Sequence, residues 1–189
     1  MQKAEKLDRS KILIIVAISS VLLMAVAKIW QMLAHITLAP IQWKTGDIVL
    51  SVSIVLALAG VSNLFYRFWP LYHQSVDAYL EPIVDSLDWW DLIWLGLLPG
   101  MSEELLFRGV MLPAFGFDLV AVLWSSFIFG ILHLPGLQYW PYCLMATSIS
   151  IVLCYTLLVS GNLLVPILIH VLLNLFSGIF WKFNRTKTT

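Results

Sequence analysis

The sequence predicts an all-α fold, a polytopic transmembrane helical bundle of about six spans, and three observations carry that prediction. Of 189 residues, 60% are hydrophobic and 12% are charged, with a mean hydropathy of +0.90, far more apolar than the roughly half-apolar, quarter-charged soluble norm. From Leu119 to Trp181 there is no Asp, Glu, Lys or Arg. Apolar runs recur at the length of about 20 residues that a hydrocarbon core of about 30 Å demands.

The first span runs from about Ile12 to Ala34 and the second from about Ile48 to Tyr66. The third, Trp89 to Leu112, contains Pro99-Gly100, a step that predicts a broken helix lining an enclosed, watered cavity. The fourth to sixth occupy about Leu119 to Leu134, Tyr139 to Val159 and Leu163 to Trp181. Between the second and third, Asp77, Glu81 and Asp85 recur at helical spacing beside Val76, Leu80, Ile83 and Val84, the pattern of an interfacial amphipathic helix. Later connections are short and carry Pro or Gly, as helix hairpins require. Residues 1–189 read as a single transmembrane domain without repeats.

Basic residues precede the first span (Lys3, Lys6, Arg9, Lys11) and follow the last (Lys182, Arg185, Lys187), so both ends are expected on the cytoplasmic side of a cell membrane. The basic head followed by Ala25-Val26-Ala27 is also the pattern of a cleavable signal peptide, but the apolar run continues past that point and favours a retained anchor. Trp89, Trp90 and Trp94 suit an interfacial belt. Cys143 and Cys154 fall on one helix, so free thiols are expected. Scattered Lys and Arg residues give no basic face for nucleic acid. The partners expected are the lipid bilayer and a membrane-anchored peptide or protein.

Charges at mid-membrane cost about 2.5 to 3.5 kcal/mol each even on the lenient insertion scale, yet Glu103, Glu104 and Arg108 sit inside the third segment, in SEELLFRG. Glu104 and Arg108 are four apart and stack on one helical face as a candidate ion pair. Glu103 points about 100° away, leaving it without a local partner. His133 ends an otherwise apolar helix in FGILH, and in HVLLN His170 and Asn174 share a face. His35 and His73 lie at span edges and read as bland. Ser125, Ser126, Ser148 and Ser150 read as packing or back-bonding residues, and no Gly-x-Ser-x-Gly elbow is present.

A carboxylate held away from bulk water is suited to take a proton from a water molecule near neutral pH. Glu103 is thus the candidate general base and His133 a second ligand for the same water. His170 and Asn174 are candidate oxyanion donors. The set would perform acyl hydrolysis without a covalent intermediate. A metal version is also open, with zinc held by Glu103, His133 and His170, although no H-E-x-x-H is present. Carboxylates on broken membrane helices also mark transport sites, and the same polar cavity could serve a non-catalytic adaptor.

In order, E-E-x-x-x-R-G (Glu103 to Gly109), F-x-x-x-H (Phe129 to His133) and H-x-x-x-N (His170 to Asn174) resemble the motifs of the CAAX protease and bacteriocin-processing family, also called the CPBP or Abi family. Its founding members are the type II CAAX prenyl endopeptidases. The likeness covers residues 98–174. It implies an intramembrane, glutamic-type protease in which Glu103 with His133 activates water, His170 and Asn174 stabilise the oxyanion, and Glu104 and Arg108 support them. The chain is short beside the eukaryotic CAAX proteases, which carry more spans, and the family also includes proteins linked to bacteriocin maturation and immunity. Neither a substrate nor prenylation of it can be carried over.

Overall fold

A computed structural model of the chain describes residues 8–186, which are helices and their connections without a strand. Lys3, Lys6 and Lys187 lie outside the described residues. The helices are α1 (Arg9–Leu33), α2 (Thr45–Phe68), α3 (Pro70–Val84), α4 (Asp91–Glu104), a π-helical segment (Leu105–Met111), α5 (Leu112–Phe115), α6 (Leu119–Leu132), α7 (Trp140–Ser160) and α8 (Leu164–Thr186). Four stretches are long and apolar enough to cross a membrane, Arg9–Leu33, Thr45–Phe68, Leu137–Ser160 and Leu164–Arg185. The composite α4–π–α5 rod and the shorter apolar α6 complete the expected six.

Ion pairs and loop contacts order the ends of the bundle. Arg9 grips Asp91 through two hydrogen bonds of 2.6 and 2.8 Å, so α1 and α4 start at the same end. At the opposite end Asn162, fully buried in the α7–α8 turn, bonds both main-chain groups of Gln42, the Asp47 carboxylate and the Leu164 N–H. Ala25-Val26-Ala27 lies inside α1, where Ala27 is fully buried against Leu106, Phe107 and Val110.

The segment expected to be an interfacial helix is α3, but its apolar face is covered by protein. Tyr72, Val76, Leu80 and Val84 join Ile12, Leu92 and Trp181 in one core cluster. On its polar side, Asp77 accepts hydrogen bonds from Tyr66 and Trp181, and Glu81 pairs with Arg185. These contacts with the end of α8 hold α3 across the end of the bundle where α1 and α4 begin.

The third span is interrupted, but not at the expected step. Helix α4 passes through Pro99 and Gly100 and departs from α geometry only at Leu105. The glycines serve close packing. A Cβ at Gly100 would lie 2.7 Å from Val171 Cγ2 and 3.0 Å from its backbone nitrogen, and one at Gly96 would lie 3.0 Å from Val171 O. Helices α4 and α8 therefore touch backbone to backbone, as small residues permit in membranes. The π segment widens the turn instead, a feature frequent at functional sites.

Helix α6 is 14 residues long, so it rises about 21 Å, short of a core of about 30 Å. His133, its C-cap, is thereby set below the level reached by its longer neighbours.

Replacing Gly100 by Leu is expected to lower stability by at least the 1–3 kcal/mol, approximately, of an overpacked core, seen as a fall in the thermal midpoint of the detergent-solubilised protein. Gly60→Ala, where an added Cβ meets nothing within 4 Å, should leave the midpoint unchanged or slightly raised.

Candidate active site

The six polar residues singled out in the sequence sit on α4, the π segment, α6 and α8, and the fold brings them together. Glu104 and Arg108, each 0% exposed, form the predicted pair, with Arg108 Nη1 2.9 Å from Glu104 Oε1. Burying such a pair is favourable only as far as its remaining valences are satisfied, and here Glu104 Oε2 and Arg108 Nε find no protein partner while the other guanidinium nitrogens do. Arg108 Nη2 donates to the backbone oxygen of Ser150 at 3.0 Å and to its hydroxyl at 2.8 Å. Its guanidinium also lies over the Phe129 ring, 4.9 Å from the centroid, a cation–π contact strengthened by desolvation. The same Glu104 Oε1 sits 2.6 Å from His170 Nδ1, a charge-assisted distance. One carboxylate oxygen thus locks α4, the π segment, α7 and α8 around a single point.

Glu103 faces the other way, as its 100° offset requires. Its Oε2 lies 3.5 Å from His133 Nε2 and 3.8 Å from His170 Nε2, and is buried without a hydrogen-bond donor from the protein. The tautomers follow from the partners. His133 Nδ1 is 2.8 Å from the Phe129 carbonyl, which can only accept, so Nδ1 carries the proton and Nε2 presents a lone pair. His170 Nδ1 likewise donates to the Glu104 carboxylate. Glu103 Oε2 and both Nε2 atoms then offer three lone pairs to one small space. Such a space calls for a guest that brings protons or positive charge, as a water molecule or a metal ion does.

Asn174, one helical turn beyond His170, lines the pocket shared by Glu103 and His133 and also the larger cleft beside it. Among the described residues, no group of three or more His, Cys, Asp and Glu side chains stands as a ready-made metal site; Glu103 Oε2, His133 Nε2 and His170 Nε2 are the atoms that would hold a zinc ion, which would supply an acidified water there.

Three contributors were given no part in the site from the sequence, although Phe129 opens the F-x-x-x-H motif. Ser150, read as a packing residue, is the far anchor of Arg108. Phe129 stacks on His133 at 4.3 Å and meets His170 edge-on at 5.7 Å. Tyr79 of α3 lines the Glu103 pocket, stacking on Tyr142 at 4.3 Å and on His133 at 5.9 Å. Burial, with the nearby Glu103 carboxylate, holds the Tyr79 phenol well above its ordinary pKa, so it remains a hydrogen-bond donor. A helical reading of α3 puts Tyr79 near its buried stripe, but nothing local says which pocket that stripe covers. His35 and His73 take no part, and His73 pairs with Asp77 at 3.4 Å on the far side of α3.

The architecture and site define a polytopic membrane protein with an intramembrane Glu-His-His-Asn cluster, and comparison with known proteins says what it is similar to. Residues 85–176 match the family described as "Type II CAAX prenyl endopeptidase Rce1-like". That segment, just under half of the chain, holds all six site residues. "Uncharacterized protein YpbD" of Bacillus subtilis (strain 168) is 29% identical over 138 residues, covering 72% of this chain and 69% of that protein. No solved structure matches.

Arg108→Met is expected to destabilise the protein by about 3–5 kcal/mol, because it leaves the Glu104 charge buried and unpaired. The double variant Arg108→Met, Glu104→Gln should recover much of that loss. Thermal unfolding of the three purified proteins in detergent measures both effects.

Proposed function

We propose that the protein is an intramembrane endopeptidase that hydrolyses a peptide bond of a membrane-associated protein or peptide with a water activated by Glu103. The observation that carries this reading is the buried, donor-less Glu103 Oε2 facing His133 Nε2 across 3.5 Å. Two acceptors at that distance are reconciled by a water that donates one proton to each, which leaves its oxygen lone pairs free to attack.

Hydrolysis then follows from the chain's own groups. The water oxygen bonds to the substrate carbonyl carbon as Glu103 takes its proton, giving a tetrahedral oxyanion. Asn174 Nδ2 donates to that oxyanion, and His170 Nε2 joins it after taking up a proton from solvent, which it gives back on product release; the added positive charge faces Glu104 through Nδ1. As the oxyanion collapses, the C–N bond breaks and Glu103 returns the proton to the departing amine, so no covalent enzyme intermediate forms. Tyr79 closes the pocket from the side of α3. The end of the bundle where α1 begins and α8 finishes carries the flanking Arg and Lys residues and is taken as the cytoplasmic side of a plasma membrane. The substrate is reached from that side or laterally from the bilayer.

The rival reading is a non-catalytic adaptor or immunity-type protein that binds a partner through the same cavity. It would replace the protease reading if Glu103→Ala retained full biological activity. A transport role would instead show as flux through proteoliposomes.

Glu103→Gln should reduce kcat by at least 10³-fold, approximately, while Asn174→Ala, which removes one oxyanion donor, should reduce it about 10²- to 10³-fold. Both are read from turnover of an internally quenched peptide by protein whose helicity is unchanged. Activity is also expected to persist in a strong chelator. Loss on chelation with recovery on adding zinc would transfer the mechanism to a metal.

A further inference from the structure

We propose that the cleft beside Glu103 holds an internal, uncharged stretch of peptide chain in extended form; this rests on the hydrolytic reading above and adds to it the class of substrate. The cleft, of about 110 Å³, lies among α2, α3, α6, α7 and α8 and joins the Glu103 pocket through His133, Tyr142 and Asn174. Its walls are mainly aliphatic and aromatic, but they are not uniformly so. Ser62 and Asn63 on α2 face it, as do Asn174 and Ser177 on α8.

Asn63 stands out within a span of mean hydropathy 2.3, since an intramembrane polar residue is costly and marks a cavity or substrate path. Its amide supplies two donors and an acceptor. Ser62 is already paired with the Tyr72 hydroxyl at 2.8 Å. A hydrocarbon tail in this cleft would leave the Asn63, Asn174 and Ser177 groups without partners, at the cost that dry polar groups incur. An extended peptide backbone, with N–H and C=O groups on alternating sides, matches them instead.

Charge decides which part of a peptide lies here. Among the described residues lining the cleft and the adjoining pocket there is no Lys or Arg, and Glu103 is the one carboxylate. Neighbouring cations are committed elsewhere. Arg108 is held by Glu104 and Ser150, Arg185 by Glu81, and Lys182 by the carbonyl oxygens of Val84 and Leu87. A substrate's terminal carboxylate beside the scissile bond would meet an uncompensated like charge in a low dielectric. An uncharged internal segment meets none.

The test uses the full chain in proteoliposomes with an internally quenched peptide of Leu, Val, Ala, Ser and Gln. The peptide is made as the C-terminal amide, the free acid and the prenylated free acid, and products are located by mass spectrometry. The amide should be cut at an internal bond with kcat/KM within about threefold of both acids, and one Asp beside that bond should lower kcat/KM at least tenfold, approximately, where Lys does not. Asn63→Leu should raise KM about fivefold or more with kcat little changed, and Asn63→Gln should restore it. If only free acids are cut, a chain end occupies the cleft; if only the prenylated form is cut, a lipid tail does. Either result overturns the inference and leaves the hydrolytic reading standing. If no form is cut, the hydrolytic reading falls and takes the inference with it.

Discussion

The structure depends on where a buried arginine can find its hydrogen bonds. Arg108 is completely enclosed, and an enclosed guanidinium is tolerated only when negative charge and acceptors surround it. Glu104 supplies the charge from the preceding turn, Ser150 supplies two oxygens from α7, and Phe129 supplies a ring face from α6. Three helices are thereby fixed in register by one side chain. The arrangement leaves Glu104 Oε1 able to hold His170, so the same charge compensation that stabilises the bundle also orients an imidazole on α8.

The two adjacent glutamates divide the labour because a helix turns by about 100° per residue. Glu104 faces the protein interior and spends its charge on Arg108 and His170. Glu103 faces a pocket in which its neighbours are imidazole lone pairs and its Oε2 has no donor. The short α6 deepens this pocket by ending early, and α3 roofs it with Tyr79. Apolar helices thus produce a polar recess through differences in length and through one helix that crosses the others.

Much of this was legible in the sequence because it is local. Spans follow from hydropathy, the Glu104–Arg108 pair from i,i+4 spacing, and the shared face of His170 and Asn174 from the same rule. The links that complete the site are not local. Glu104 reaches His170 across 66 residues and Arg108 reaches Ser150 across 42, and helical periodicity within one span says nothing about which neighbour it will meet. Pro99-Gly100 illustrates the limit differently: a breaker in sequence became a contact surface, since Val171 of α8 needs the space that side chains at 96 and 100 would occupy. The π segment has no sequence signature of its own, and Tyr79 could be assigned to the site only once α3 was seen to fold back over it.

Asn162 gives the bundle a mechanical asymmetry. Four hydrogen bonds at one buried amide rivet the α7–α8 turn to the α1–α2 loop and the head of α2. At the far end a single residue, Trp69, separates α2 from α3. The end where α3 lies is fastened differently, by partly exposed ion pairs such as Arg9–Asp91 and Glu81–Arg185. Dissolved salt screens fastenings of that kind and leaves a buried amide untouched, so the hold on one rim of the bundle varies with the medium and the hold on the other does not.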